Sequence, residues 1–250
     1  MEDDKWITAV ALRQLGDALE QIQSKTEVSE TTLEDLDILN KVMENLRDKH
    51  YFHASELINR LETDIVDKGQ LKNEIDLLKE ASRAINSHKP AKAIELLGGI
   101  GSSLTQAEKY TLLGTANVYS NQNEQAMQNL KKAIAYDPKH FRAMTNIGNL
   151  NLEANKIEQA IVDYQNALKI NDASSSALHN LGVAYRKKGQ ITKSVNYLKQ
   201  AQRAKNKELK EEARETMKSG ENKKAMKYVR YFFFAITALA IIAIAIRQLT

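Results

Sequence analysis

Three glycines, Gly114, Gly148 and Gly182, stand 34 residues apart, and the residues around them recur in register. Each glycine follows an aliphatic residue (Leu113, Ile147, Leu181) and has a large side chain four positions before it (Tyr110, Met144, Leu178). Twelve residues after each glycine comes a small residue (Ala126, Ala160, Ser194), four further on a bulky one (Leu130, Tyr164, Leu198), and then Ala133, Ala167 and Ala201. A period of this length constrains the fold more than any other feature, because self-similarity at roughly 20–50 residues marks an array of stacked supersecondary units. Within each unit the apolar residues recur at helical spacing, so the unit is a pair of helices. Small residues at the glycine and alanine positions let the two helices approach closely. The bulky positions are expected to fill the groove between one pair and the next.

This pattern, with Pro138 after the second helix of the first unit, resembles the tetratricopeptide repeat (TPR) family over residues 107–206. The resemblance implies three repeats at about 107–140, 141–174 and 175–208, and Pro138 ends a helix as that pattern requires. Ser194 replaces an alanine, and Asp172 and Asn206 stand where the proline would recur. The last repeat is therefore expected to end raggedly.

Upstream the register weakens without vanishing. Residues 88–97 imitate 155–164, with Ala93 33 positions before Ala126, and Ile75, Leu78, Ser82 and Ile85 keep helical spacing, so 71–106 reads as a degenerate TPR-like hairpin. Residues 1–70 read as an N-terminal helical region. It holds a first helix through Ile7, Ala11, Leu15, Ala18, Leu19 and Ile22, then two amphipathic helices on either side of His50. No stretch alternates with period two. The fold class is all-α: a TPR-type helical-hairpin solenoid, a charged capping and linker helix at 207–227, and one C-terminal transmembrane helix at 228–247.

The last of these elements rests on sixteen uncharged residues from Tyr231 to Ile246. As a helix they reach roughly 24 Å, just under the roughly 30 Å hydrocarbon core. Lys223, Lys224, Lys227 and Arg230 precede the run and Arg247 follows it. That asymmetry predicts a membrane location with the C-terminus as a single-pass anchor and the N-terminal domain cytoplasmic. The lipid bilayer is then one expected partner.

Charge is divided unevenly. Residues 1–106 carry 13 basic and 20 acidic side chains, and residues 107–206 carry 14 and 7. A uniformly basic nucleic-acid binder is excluded, while an acidic half that meets the basic repeats of another copy makes a homo-oligomer a second possibility. The absence of cysteine removes disulfides and thiolate metal sites. The segment Gly98–Gly101 resembles a phosphate loop only superficially, since it follows a helix and precedes no Lys-Ser/Thr pair. His50, His53 and Glu56 lack a second ligand cluster, and no arrangement of nucleophile, base and acid is in view. No catalytic residue, metal or cofactor is assigned.

By resemblance to the family, the first helix of each repeat lines a concave groove that takes protein segments. The groove positions are Glu108, Thr111 and Thr115; Arg142, Thr145, Asn149 and Glu153; Ser176, His179, Asn180, Val183, Arg186 and Lys187. Arg142, Arg186 and Lys187 make its later part basic, which suits an acidic peptide or a C-terminal carboxylate. A sharper version is the carboxylate clamp of co-chaperone TPR domains. It would fall on Asn149, Asn180, Lys210 and Arg214, with Thr145 in place of the first lysine and the third hairpin beginning near residue 209.

Overall fold

The computed structural model describes residues 30–64 and 66–218. Among these residues it is all-helical, with ten helices and no strand. They are α1 (Glu30–Arg47), α2 (Tyr51–Ile58), α3 (Lys68–Asn86), α4 (Pro90–Gly98), α5 (Ser103–Tyr119), α6 (Asn123–Tyr136), α7 (Phe141–Glu153), α8 (Ile157–Ile170), α9 (Ser175–Lys187) and α10 (Ile191–Lys218). The expected first helix, through Ile7 to Ile22, lies outside the described residues. The chain divides into two units, 1–204 and 205–250.

In the first unit the helices pair as hairpins, and every hairpin turns in the same way. The second residue after the first helix of each pair has a positive φ: Lys49, His88, Asn121, Asn155 and Gly189. The next amide then reaches back to a carbonyl five residues earlier: His50 to Asn45, Lys89 to Ala84, Gln122 to Asn117, Lys156 to Asn151 and Gln190 to Tyr185. This is a Schellman ending, which closes a helix on a left-handed residue and satisfies its last carbonyls. The hairpin α3–α4 and even α1–α2 thus share the turn of the regular repeats. Other ends are fixed by side chains: Asp67 accepts from the Gln70 amide at 2.8 Å, Pro90 opens α4, and Ser174 caps α9.

The glycine register has a direct steric cause. A Cβ on Gly114 would lie 2.7 Å from Leu130, one on Gly148 2.6 Å from Tyr164, and one on Gly182 2.9 Å from Leu198. Each bulky side chain therefore sits on the glycine of its own hairpin, and Leu130 and Tyr164 also pack against the next pair, beside Ala143 and Leu150 and beside Leu181, Ala184 and Tyr185, as expected. Ala126, Ala133, Ala160 and Ala167 are fully buried where the second helix passes closest. Ser194 is also buried and does the work of the missing alanine.

Buried apolar residues from Leu36 to Ala116 form one cluster, so α1–α4 and the first regular repeat share a core. The later repeats have smaller clusters, such as Ile161, Tyr164, Leu181, Ala184 and Tyr185. The repeat endings differ from expectation. α6 stops at Tyr136 before Pro138 and α8 at Ile170 before Asp172, but α10 runs unbroken from Ile191 to Lys218. With Asn206 instead of proline nothing interrupts its backbone bonds, so the last repeat does not fray and no break marks a separate linker helix at 207. In the second unit, the described part of α10 carries Lys205–Glu208 and Lys207–Glu211 ion pairs at one-turn spacing.

The membrane localisation expected from the sequence is corrected. Among the described residues no helix is long and apolar enough to cross a membrane. α10 has the length but is studded with Lys, Arg and Glu, each costing about 3 kcal/mol near a bilayer centre. The segment 228–247, on which single-pass anchoring rested, lies outside the described residues, as do its flanks Lys223, Lys224, Lys227, Arg230 and Arg247.

Candidate functional site

The first helices of the regular repeats, α5, α7 and α9, carry all the expected groove positions. The structure divides those positions into a closed front and an open rear.

The front is a buried polar knot. Glu108 on α5 is 1% exposed and His140, which caps α7, equally so. Arg142 grips the Glu108 carboxylate through both guanidinium nitrogens, Nη1 to Oε2 at 3.0 Å and Nη2 to Oε1 at 3.1 Å. Tyr51 on α2 donates its hydroxyl to Glu108 Oε1 at 2.5 Å. The Ala143 amide donates to His140 Nδ1 at 3.3 Å, so the ring proton resides on Nε2 and points at Glu108 Oε2, 3.2 Å away. Burial alone would raise the Glu108 carboxyl, but Arg142, then His140 and Tyr51, hold it down at about 2. It is therefore a carboxylate at any pH the protein meets.

The knot also fastens the N-terminal helices. Arg142 Nη1 donates to the Leu46 and Arg47 carbonyls at 3.3 and 3.1 Å, satisfying the C-terminal end of α1. Arg47 returns the contact to Asp137 Oδ2 at 2.5 Å. Thr111 and Thr145 are buried and bond back to the Ala107 and Phe141 carbonyls of their own helices. Four expected groove residues (Glu108, Thr111, Arg142 and Thr145) thus bond within the fold. Arg142 in particular is not a free groove cation.

A second internal ladder follows. Asn146 donates to Thr115 at 3.1 Å and Asn180 to Asn149 at 2.7 Å, both across 31 residues, while Tyr164 adds its hydroxyl to Asn149 at 2.9 Å. The asparagines assigned to a carboxylate clamp are therefore partners of one another. Lys210 and Arg214 lie on the uninterrupted α10, so residues from 209 onward do not begin the further hairpin that such a clamp needs.

The rear of the site is open. Ser176, His179, Arg186 and Lys187 on α9 are exposed, as is Glu153, and Val183 is half-buried between them. Arg186 makes no ion pair among the described residues, and Lys187 reaches only the Leu152 carbonyl at 3.5 Å. Lys188, which follows, is taken by Glu158 at 3.2 Å.

The glycine-rich segment before α5 also holds a carboxylate, but an internal one. Glu74 on α3 is 1% exposed and accepts from the Gly101 and Ser102 amides at 3.0 and 2.9 Å and from the Thr105 hydroxyl at 2.6 Å. The Gly101 and Ser102 amides are thus taken by the protein's own carboxylate. Among the described residues no group of three histidine or acidic side chains could hold a metal, and nothing in the site geometry points to catalysis.

Tyr51, His140 and Asp137 were not anticipated from sequence. Tyr51 meets Glu108 across 57 positions, beyond any local pattern. One signal was present, however: Glu108 and Arg142 occupy the same register position in adjacent repeats, 34 residues apart, and are of opposite sign.

Sequence comparison finds repeats of this kind in the chain. A tetratricopeptide repeat profile matches residues 107–140 and 175–208, and a TPR repeat profile matches 148–189. No curated protein sequence matches the chain. Among solved structures, one of MamA is 25% identical and covers 67% of this chain and 95% of its own, with a TM-score of 0.45. A second MamA structure is 27% identical, with 73% and 96% covered and a TM-score of 0.43. YrrB, described as a TPR protein with an unusual peptide-binding site, is 13% identical, with 76% and 91% covered and a TM-score of 0.41. The chain carries tetratricopeptide repeats from residue 107 to residue 208.

Proposed function

We propose that the protein is a non-enzymatic scaffold that takes an acidic segment of a protein partner on the open rear of its groove. The observation that carries this reading is the exposed Arg186–Lys187 pair on the last turn of α9, with exposed Ser176 and His179 and half-buried Val183 on the same helix. Two cations with no acidic partner among the described residues suit charge-assisted hydrogen bonds to carboxylates, and Val183 offers an apolar seat between them and the polar pair. The front of the groove contributes nothing to this charge, because Glu108 neutralises Arg142.

The test is fluorescence anisotropy with a labelled peptide that alternates glutamate and valine, titrated with the full chain. Binding should weaken at least tenfold in Arg186→Glu/Lys187→Glu, with an unchanged melting temperature because both side chains are exposed. Binding that survives this double substitution, or no binding at hundreds of micromolar, rejects the reading.

A further inference from the structure

The repeat register exposes a second surface, at the end of the array. Ile157 and Ile161 on α8 lie under the next repeat's first helix. There Ile161 is 7% exposed, clustered with Leu181, Ala184 and Tyr185 of α9, and Ile157 packs on the same cluster. Thirty-four residues later the same positions on α10 are Ile191 and Val195, and these are 59% and 43% exposed. A terminal repeat ordinarily presents a polar outer face. Here the chain retains two β-branched aliphatics in the positions that bind a following helix. The geometry one repeat earlier says what covers such a seam, namely an amphipathic helix laid against α9 and α10.

We propose that residues 1–22 of a second copy of this chain dock on the Ile191–Val195 seam, joining copies head to tail. Lys199, one turn beyond Val195 on the same face of α10, is exposed beside the seam, so the incoming helix should be acidic. Residues 1–22 place Ile7, Ala11, Leu15, Ala18 and Ile22 on one helical stripe and carry five acidic against two basic side chains. Residues 219–250 carry five basic against one acidic and have the wrong sign. A second copy is the source because α1, which residues 1–22 precede by only seven residues, packs on α2 and α5 and is tied by Arg47 to Asp137 and by its C-terminal carbonyls to Arg142. The seam belongs to the last hairpin. A contact between two different surfaces is heterologous and propagates, which distinguishes it from a symmetric dimer.

Sedimentation velocity of the full chain over a concentration series, at low and high salt, tests the proposal. Association should appear at low salt and weaken as ions screen the charged rim. Ile191→Glu/Val195→Glu and a chain lacking residues 1–22 should each associate at least tenfold more weakly, with unchanged melting curves. Mixed together, these two variants should form a 1:1 complex that grows no further, since each supplies the surface that the other lacks. A native chain that stays monomeric at 100 micromolar overturns the proposal, and so does a seam variant that associates like the native protein. A labelled 1–22 peptide that binds only the truncated chain would show the seam occupied by its own N-terminus, which also overturns it.

Discussion

Arg142 looks from the sequence like a ligand-binding cation, and the structure makes it a fold-holding one. Replacing it with alanine separates the two roles. The substitution would leave Glu108 buried, 1% exposed, with only Tyr51 and His140 beside it, and would release the Leu46 and Arg47 carbonyls. Breaking a buried ion pair from one side typically costs about 3–5 kcal/mol. The Glu108 carboxyl gives a second route to the magnitude: it is held at about 2 against an ordinary 4.5. At about 1.4 kcal/mol per unit this is on the order of 3 kcal/mol of stability near neutral pH. That figure includes His140 and Tyr51 as well as Arg142 but is of the same order, so Arg142→Ala should destabilise the protein by about 3 kcal/mol in urea titrations followed by circular dichroism at pH 7. The loss should shrink at pH 4, because without the guanidinium burial pushes Glu108 up and a protonated carboxyl no longer needs a counter-charge. Arg186→Ala, by contrast, should change stability by less than about 0.5 kcal/mol. A loss under about 1 kcal/mol for Arg142→Ala at neutral pH, or an equal loss at both pH values, refutes the reasoning.

Two glycines should fail for different reasons. Gly148→Ala drives a methyl into Tyr164, 2.6 Å from its ring, and should cost about 1–3 kcal/mol despite the better helix former, whereas Gly189→Ala meets open space and should lose about 1 kcal/mol solely from its positive φ. A crystal structure of each variant would show a displaced Tyr164 in the first and an unmoved neighbourhood in the second. Acid should loosen the N-terminal half as well. Burial acts to raise Glu74 and Asp35, yet hydrogen bonds from Thr105, Gly101 and Ser102 to the first, and from Thr63 and Glu62 to the second, hold both below their ordinary values. Their contribution is complete above about pH 4.5 and falls away as pH drops toward the folded values, because the unfolded carboxylates protonate first. Glu74→Gln should remove the pH-dependent part contributed by that residue and speed hydrogen exchange at the Gly101 and Ser102 amides; unchanged exchange at those two amides contradicts the assignment.

The repeats were legible because their cause is steric and local. A glycine faces a bulky residue sixteen positions on, within one hairpin, and the sequence records both halves of the contact. The α1–α2 hairpin was legible only as two helices. Its apolar residues show no repeat register, and what it shares with the others is a backbone turn that Lys49, His88 and two asparagines all adopt. A left-handed residue that is not glycine leaves little trace in sequence. The site was misread where charge was taken one residue at a time. Arg142 is basic in isolation, but the neighbouring first helix carries Glu108 at the same register position, and a stacked array brings such positions together.

That register also explains why the exposed groove cations of the described first helices stand on α9. Reading one position through the array gives Glu108, Arg142, Ser176, so the first two neutralise each other and the third adds no charge. A neighbouring series gives Val118, Leu152, Arg186, in which a cation appears only at the end, with no acid before it to bind. The third gives Glu153 then Lys187, a potential match, yet Lys187 turns to the Leu152 carbonyl instead and stays exposed. Stacking favours partners that alternate, and the last repeat is where alternation stops. Its first helix therefore keeps Arg186 and Lys187 exposed where Arg142 is paired one repeat earlier, and its second helix keeps exposed the aliphatics that pack on a following helix one repeat earlier. The exposed cations of α9 and the exposed Ile191 and Val195 of α10 thus lie on one hairpin, where the described residues place no following repeat against them.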